Sequence, residues 1–137
     1  MVTPTSSPKL ILALLMLAFG SISALAKREA PKDVPPVIVG GVRYTAPHWT
    51  RGKARQQQGG YLEARDVATG RQLWDLRIYE IKYDQDLERD VQDIFITSLK
   101  VVGGKLQVVN EKGDKFVVDL SRRKVIEGRR RVYECRP

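Results

Sequence analysis

The side chains able to do chemistry are few and far apart. The chain carries one histidine, His48, in a Pro- and Gly-rich stretch, and one cysteine, Cys135, third from the C-terminus. A Cys–His nucleophilic pair would need those two distant segments to converge. A zinc site would need three or four nitrogen or sulfur ligands, and only these two residues offer them. The run KYDQDLERDVQD sets Asp84, Asp86, Glu88, Asp90 and Asp93 at near-alternating positions, the clustered oxygens that calcium takes. An EF-hand loop would need Gly where Arg89 stands and Glu where Phe95 stands, so that motif fails. Lys82 and Arg89 offset part of the charge, and a solvated connection between strands explains the run without a metal. The expectation is a non-enzyme with no catalytic, metal or cofactor-binding residues. Tyr44, His48 and Trp49, close to Arg51, Lys53 and Arg55, admit two readings. Their aromatics stack on a sugar or a base, or they cover one end of a small β core.

The compartment is written at the N-terminus. After Lys9 comes LILALLMLAFGSISALA, an apolar run ending in the small-residue pattern Ala24-Leu25-Ala26. That is the anatomy of a secretory signal peptide cleaved after Ala26, which places the mature protein in the periplasm or outside the cell. Residues 10–19 are too few to span a bilayer, and Gly20, Ser21 and Ser23 interrupt the run. An uncleaved anchor is the alternative reading of the segment, and no later segment is apolar enough for a transmembrane helix. With a single cysteine no internal disulfide can form. Cys135 either pairs with another chain or is an inert terminal thiol.

Twenty-four basic residues against sixteen acidic ones give a formal net charge of +8. Much of the excess is local, in Arg122-Arg123-Lys124 and Arg129-Arg130-Arg131. These residues are candidates for binding an anionic polymer by charge, with steep salt dependence. Outside the cytoplasm such polymers are phospholipid, lipopolysaccharide or teichoic acid, so nucleic acid is not an expected partner. The other reading is a solvated end that keeps the protein soluble.

Four segments follow from the pattern. Residues 1–26 are the signal peptide, 27–36 a charged Pro-rich linker, 37–127 a small β domain, and 128–137 a basic C-terminal tail. Within the domain, VIVGGVRYT reads as a hairpin or a bulged edge strand, and residues 46–60 as a surface loop. Strand candidates then lie at 61–66 and 73–83. Residues 94–102 put Phe95, Thr97, Leu99 and Val101 on one face at period two. Gly103-Gly104 suits a two-residue type I′ turn, which needs positive φ twice. Residues 94–126 thereby read as a four-stranded antiparallel meander. The stretch 86–93 is long enough for one or two helical turns only. The expected fold is mainly β, a small antiparallel blade-like sheet of about six to seven strands.

In Asp66-Val67-Ala68-Thr69-Gly70 the carboxylate can close an Asx turn and the glycine can supply the left-handed residue. Trp74 then offers a large apolar surface. A shift of 53 residues lays Asp66 over Asp119, Arg71 over Lys124 and Leu73 over Ile126, with Arg123 replacing the Gly and Glu127 the Trp. The pattern A-x-D-x-x-T-G-x-x-x-W at Ala64, Asp66, Thr69, Gly70 and Trp74 resembles the blade repeat of pyrroloquinoline-quinone-type β-propellers. The resemblance implies a four-stranded sheet built on tight turns. It does not imply the quinone chemistry, because a closed ring needs at least ~4 blades and the residues after Ala26 hold about two. Function is expected to be that of a structural or protein-interaction module, with self-association or an unknown protein as partner. The alternative is an envelope-associated binder of anionic polymers.

Overall fold

The computed structural model describes residues 28–29, 31–49 and 55–129. Residues 1–26, expected to be a signal peptide, and Arg51, Lys53, Arg130, Arg131 and Cys135 lie outside the described residues. Among the described residues the fold is mainly β, with eight strands in two four-stranded antiparallel sheets. The first sheet is a meander of β1 (Val37–Val39), β2 (Val42–Thr45), β3 (Tyr61–Asp66) and β4 (Gln72–Arg77). The second is a meander of β5 (Ile96–Val102), β6 (Lys105–Asn110), β7 (Lys115–Asp119) and β8 (Lys124–Arg129). The expectation of one sheet with six to seven strands is corrected here. The aliphatic run at 73–83 is strand only to Arg77, and its continuation crosses to the second sheet as irregular backbone. The acidic segment holds a single 3-10 turn at Asp90–Gln92.

One core joins the two sheets. Tyr44, Leu62 and Ala64 from the first meet Ile96, Leu106, Val108, Phe116 and Val118 from the second in a single buried cluster. Leu62, Leu106, Val108 and Val118 are fully enclosed, and each contributes roughly 1.5–3 kcal/mol of transfer free energy. Trp74 and Leu76 of β4 pack against this cluster half-buried. The two edge strands β1 and β5 approach each other, so both sheets run in the same order across the stack.

Both sheets use the same turns. Val39 pairs with Val42 around Gly40-Gly41, and Val102 with Lys105 around Gly103-Gly104. All four glycines have positive φ, between 56° and 73°, as the expected type I′ turn requires. The hairpins β3–β4 and β7–β8 each carry a bulge at the position related by the 53-residue shift, leaving Leu73 and Ile126 unpaired and exposed. Yet the buried faces are opposite. Ala64 and Trp74 point to the core, whereas their counterparts Val117 and Glu127 lie on the outer face. In the first hairpins Tyr44 is buried and Arg43 exposed, whereas at the positions aligned by the Gly pairs Gln107 lies outward and Leu106 inward. The sheets are therefore stacked in the same sense, front of one on back of the other. This explains why Glu127 stands where the repeat would put a tryptophan: that position faces water.

A bulge between Ile96 and Ser98 also corrects the face expected for β5. Phe95 and Ile96 are both buried, Thr97 is exposed, and inward facing resumes at Leu99 with Val101 only partly covered at the sheet edge. Residues 27–36, read as a linker, are docked where described. Val34 packs on the core, Asp33 lies 3.7 Å from His48, and the Arg28 guanidinium pairs with Glu111.

Candidate functional site

The stack has two ends of different character. At one end lie the tight turns, with nearly all the residues that stand out in the sequence. The Asp66 Oδ1 accepts the Ala68 N–H at 2.8 Å, Thr69 Oγ1 accepts the Arg71 N–H at 3.3 Å, and Gly70 (φ 71°) returns the chain. The second copy repeats the geometry. Asp119 Oδ1 accepts the N–H groups of Ser121 (3.1 Å) and Arg122 (3.0 Å) and the Ser121 hydroxyl (2.7 Å), while Lys105 Nζ sits 3.3 Å from Oδ2. Arg123 takes the left-handed conformation (φ 54°) that Gly70 takes in the first copy. Its guanidinium lies 5.9 Å from the Trp74 ring centre, and Trp74 packs on Tyr44 at 5.8 Å. Asp66, Thr69, Gly70, Trp74, Gly103, Gly104 and Asp119 are thus brought to one end in structural roles.

The bonds from Ser121 and Arg122, with Lys105 beside them, hold the Asp119 carboxyl well below the usual carboxylate range. A folded pKa below the unfolded value of about 3.9 means the stabilisation is fully present above that value. It is lost as pH falls from there towards the folded pKa. Asp119→Asn is expected to flatten the acid limb of the stability–pH curve below about pH 4. Urea midpoints measured between pH 2.5 and 6 check this, and an unchanged acid limb would contradict it.

The basic residues among those described do not form one patch. Arg122, Arg123 and Lys124 belong to the turn end, and Arg129 closes β8 at the other, about 17 Å away at a strand rise of about 3.4 Å per residue.

The opposite end is polar and irregular, and here side chains replace strand pairing. Gln57 is buried. Its amide donates to the Tyr79 carbonyl (2.9 Å) and the Gly59 carbonyl (3.2 Å) and accepts from the Ile81 N–H (2.9 Å). The Tyr79 hydroxyl donates to the Ile94 carbonyl at 2.8 Å, and its ring stacks on Phe116 at 5.2 Å. Burial pushes that hydroxyl's pKa far up, with the Glu111 and Asp114 carboxylates adding to the shift. The Tyr83 hydroxyl donates to Asp93 Oδ1 at 2.7 Å. Burial raises the Asp93 carboxyl, against the opposing pull of that hydrogen bond and of Arg28 and Arg89. In the acidic run Gln92 binds the carbonyls of Asp84, Leu87 and Glu88. Those oxygens are engaged, and no three acidic, His or Cys side chains converge on a metal position among the described residues.

His48 and Trp49 part company. His48 is buried, with Nε2 3.2 Å from the Ile96 carbonyl and its ring 5.0 Å from that of Phe95. It ties the β2 end to the β5 start. Trp49 sets its ring edge-on to Phe95 at 5.2 Å and leaves 53% of its surface exposed.

Among the described residues, two clefts stand out at this end. The larger, about 740 Å³, has walls of Tyr79, Ile81, Ile94 and Phe116 and a charged rim that includes Lys82 and Lys112. The smaller, about 350 Å³, shares Asp93 with the first and is lined by Trp49, Arg55, Gln58, Arg89 and Asp90. Arg55 was legible in the sequence only as a loop cation, yet its side chain is 6% exposed. It bridges Glu63 (2.9 Å) and Asp75 (2.7 Å) on the outer face of the first sheet and lies 4.2 Å from the Tyr61 ring centre. No helix among the described residues is long and apolar enough to cross a membrane. No protein-family model matches the chain and no curated protein is significantly similar to it, so its function rests on the residues themselves.

Proposed function

We propose that the chain is an exported, non-catalytic interaction module that takes its partner at the polar end of the stack. The observation that carries this reading is the cleft of about 740 Å³ between the 79–94 connection and the β6–β7 turn. Its volume falls in the range of ligand-binding clefts, which combine apolar walls with a few convergent polar groups. The rim alternates Arg28, Lys82 and Lys112 with Glu80, Glu111 and Asp114, a pattern suited to a polar protein segment. His48 is engaged in holding two strands together, a structural use of the one imidazole. Export follows from the apolar leader ending at Ala26. The repeated turns and the front-to-back stacking support reading the blade resemblance as structural grammar, without quinone chemistry.

A photocrosslinking residue in place of Lys112 is expected to capture a discrete partner in the native envelope. The same residue at Leu73, at the turn end, is expected to capture none. Capture at Leu73 alone, or equal capture at both, would contradict the reading. Light scattering of the mature protein then separates a second copy of the chain from a different protein as partner. Binding of anionic envelope polymers is a second reading, favoured by the exposure of Arg122, Lys124 and Arg129. It predicts that deletion of residues 128–137 abolishes envelope association at low salt.

A further inference from the structure

Arg55, which lines the smaller cleft, keeps one buried donor without a partner. Arg55 uses Nη2 for both of its carboxylate partners, while Nη1 is sealed from solvent and has no hydrogen-bond partner. An enclosed N–H left unpaired carries an uncompensated desolvation cost, which a ligand oxygen would recover. We propose that this cleft is a subsite for a neutral pyranose sugar, with Arg55 Nη1 donating to a ring-substituent oxygen and Trp49 presenting its face to the sugar's apolar side.

Three observations select that ligand class. Glu63 and Asp75 already neutralise Arg55, and Asp90 and Asp93 line the cleft opposite the charge of Arg89, so an incoming anion gains no net attraction. Trp49 is the more exposed of the two tryptophans, and its edge-on contact with Phe95 orients its ring. Gln58 and Asp90 line the cleft beside it, and an exposed carboxylate accepts from sugar hydroxyls that an arginine alone cannot serve. A volume near 350 Å³ accommodates one pyranose ring and leaves the larger cleft for the remainder of a glycan or a protein partner. The sealed Nη1 requires the cleft lip to part slightly as the oxygen enters.

The inference rests on the polar end being the binding surface, and its test is separable from that of the partner. In a Trp74→Phe background Trp49 is the only indole, so its fluorescence reports the cleft alone. The mature protein is titrated to about 10 mM with methyl glucopyranoside, with a neutral N-acetylated disaccharide, and with sodium acetate. A saturable change with either sugar and none with acetate is expected, and the disaccharide arm separates a free monosaccharide from the unit of a glycan. Arg55→Lys, which keeps the charge but not the planar pair of donors, should weaken binding at least tenfold. Asp90→Asn, at an exposed position, should weaken it severalfold without touching the fold. No response to either sugar, a response to acetate, or unchanged affinity in both variants overturns the proposal. Capture at Lys112 with a flat sugar titration would leave the interaction module standing and remove this subsite alone.

Discussion

Gly59→Ala is expected to lower the unfolding free energy by roughly 3–5 kcal/mol, combining the cost of a left-handed alanine with that of overpacking. Gly59 has φ 75°, and a Cβ there would fall 2.5 Å from the Ile94 carbonyl oxygen and 2.8 Å from Phe95 Cδ1. The carbonyl belongs to the backbone that enters β5, so it cannot swing away as a side-chain tip would. A domain of this size is stable by only about 5–15 kcal/mol, and the variant should lose a large part of that margin. Gly103→Ala is the control. Its φ is also positive but nothing lies within 4 Å, so the backbone term of about 1–2 kcal/mol acts alone. Urea denaturation with a shared slope measures both. Equal losses at the two glycines would show that the approach of the 57–60 loop to Ile94 is wrong.

Phe95→Ala should cost a comparable amount, about 3–5 kcal/mol, the range for deleting a buried aromatic ring. Phe95 is 2% exposed and carries the polar end on its ring. His48, Trp49 and the Arg28 guanidinium all lie within 5.0–5.6 Å of its centre. The loss should therefore be spatially uneven. Hydrogen exchange is expected to quicken at 46–49 and 79–95 more than in the turns at 66–70 and 119–123. Uniform quickening, or a loss under 1 kcal/mol, would contradict the role given to this ring.

The two ends differ in how far the sequence discloses them, and the reason is range. Asp66, Gly70, Gly103-Gly104 and Asp119 act on backbone within a few residues of themselves, so residue type and spacing suffice to place them. The meander at 94–126 is legible on the same grounds, since its hairpins are local. The division into two sheets is not local. Residues 73–83 carry aliphatic and aromatic side chains throughout, interspersed with Asp75, Arg77, Glu80 and Lys82, but Tyr79 and Ile81 serve the core as irregular backbone held by Gln57 from more than twenty residues away. Alternation misleads at β5 because a bulge resets the face between Ile96 and Ser98.

The weak second copy of the repeat has a physical explanation. The turn chemistry recurs at Asp119, but the sheet it belongs to buries the opposite face. Conserving Trp74 at position 127 would set an indole in water. Arg55 and Gln57 are the residues that sequence reasoning underrated most. Each is a polar side chain in a Gly-rich loop, and burial is set by what the 79–95 connection lays over them. Burial of a polar side chain by a distant segment has no local signature.

The polar end exists only if one core holds the two sheets, since that packing gathers 28, 48, 55–60, 79–95 and 110–114 at a common end. Methyl nuclear Overhauser contacts measured on residues 27–137 address it directly. Cross-peaks are expected between Leu62 or Ala64 of the first sheet and Leu106, Val108 or Val118 of the second. Cross-peaks confined within each sheet, with none between the two sets, would contradict it.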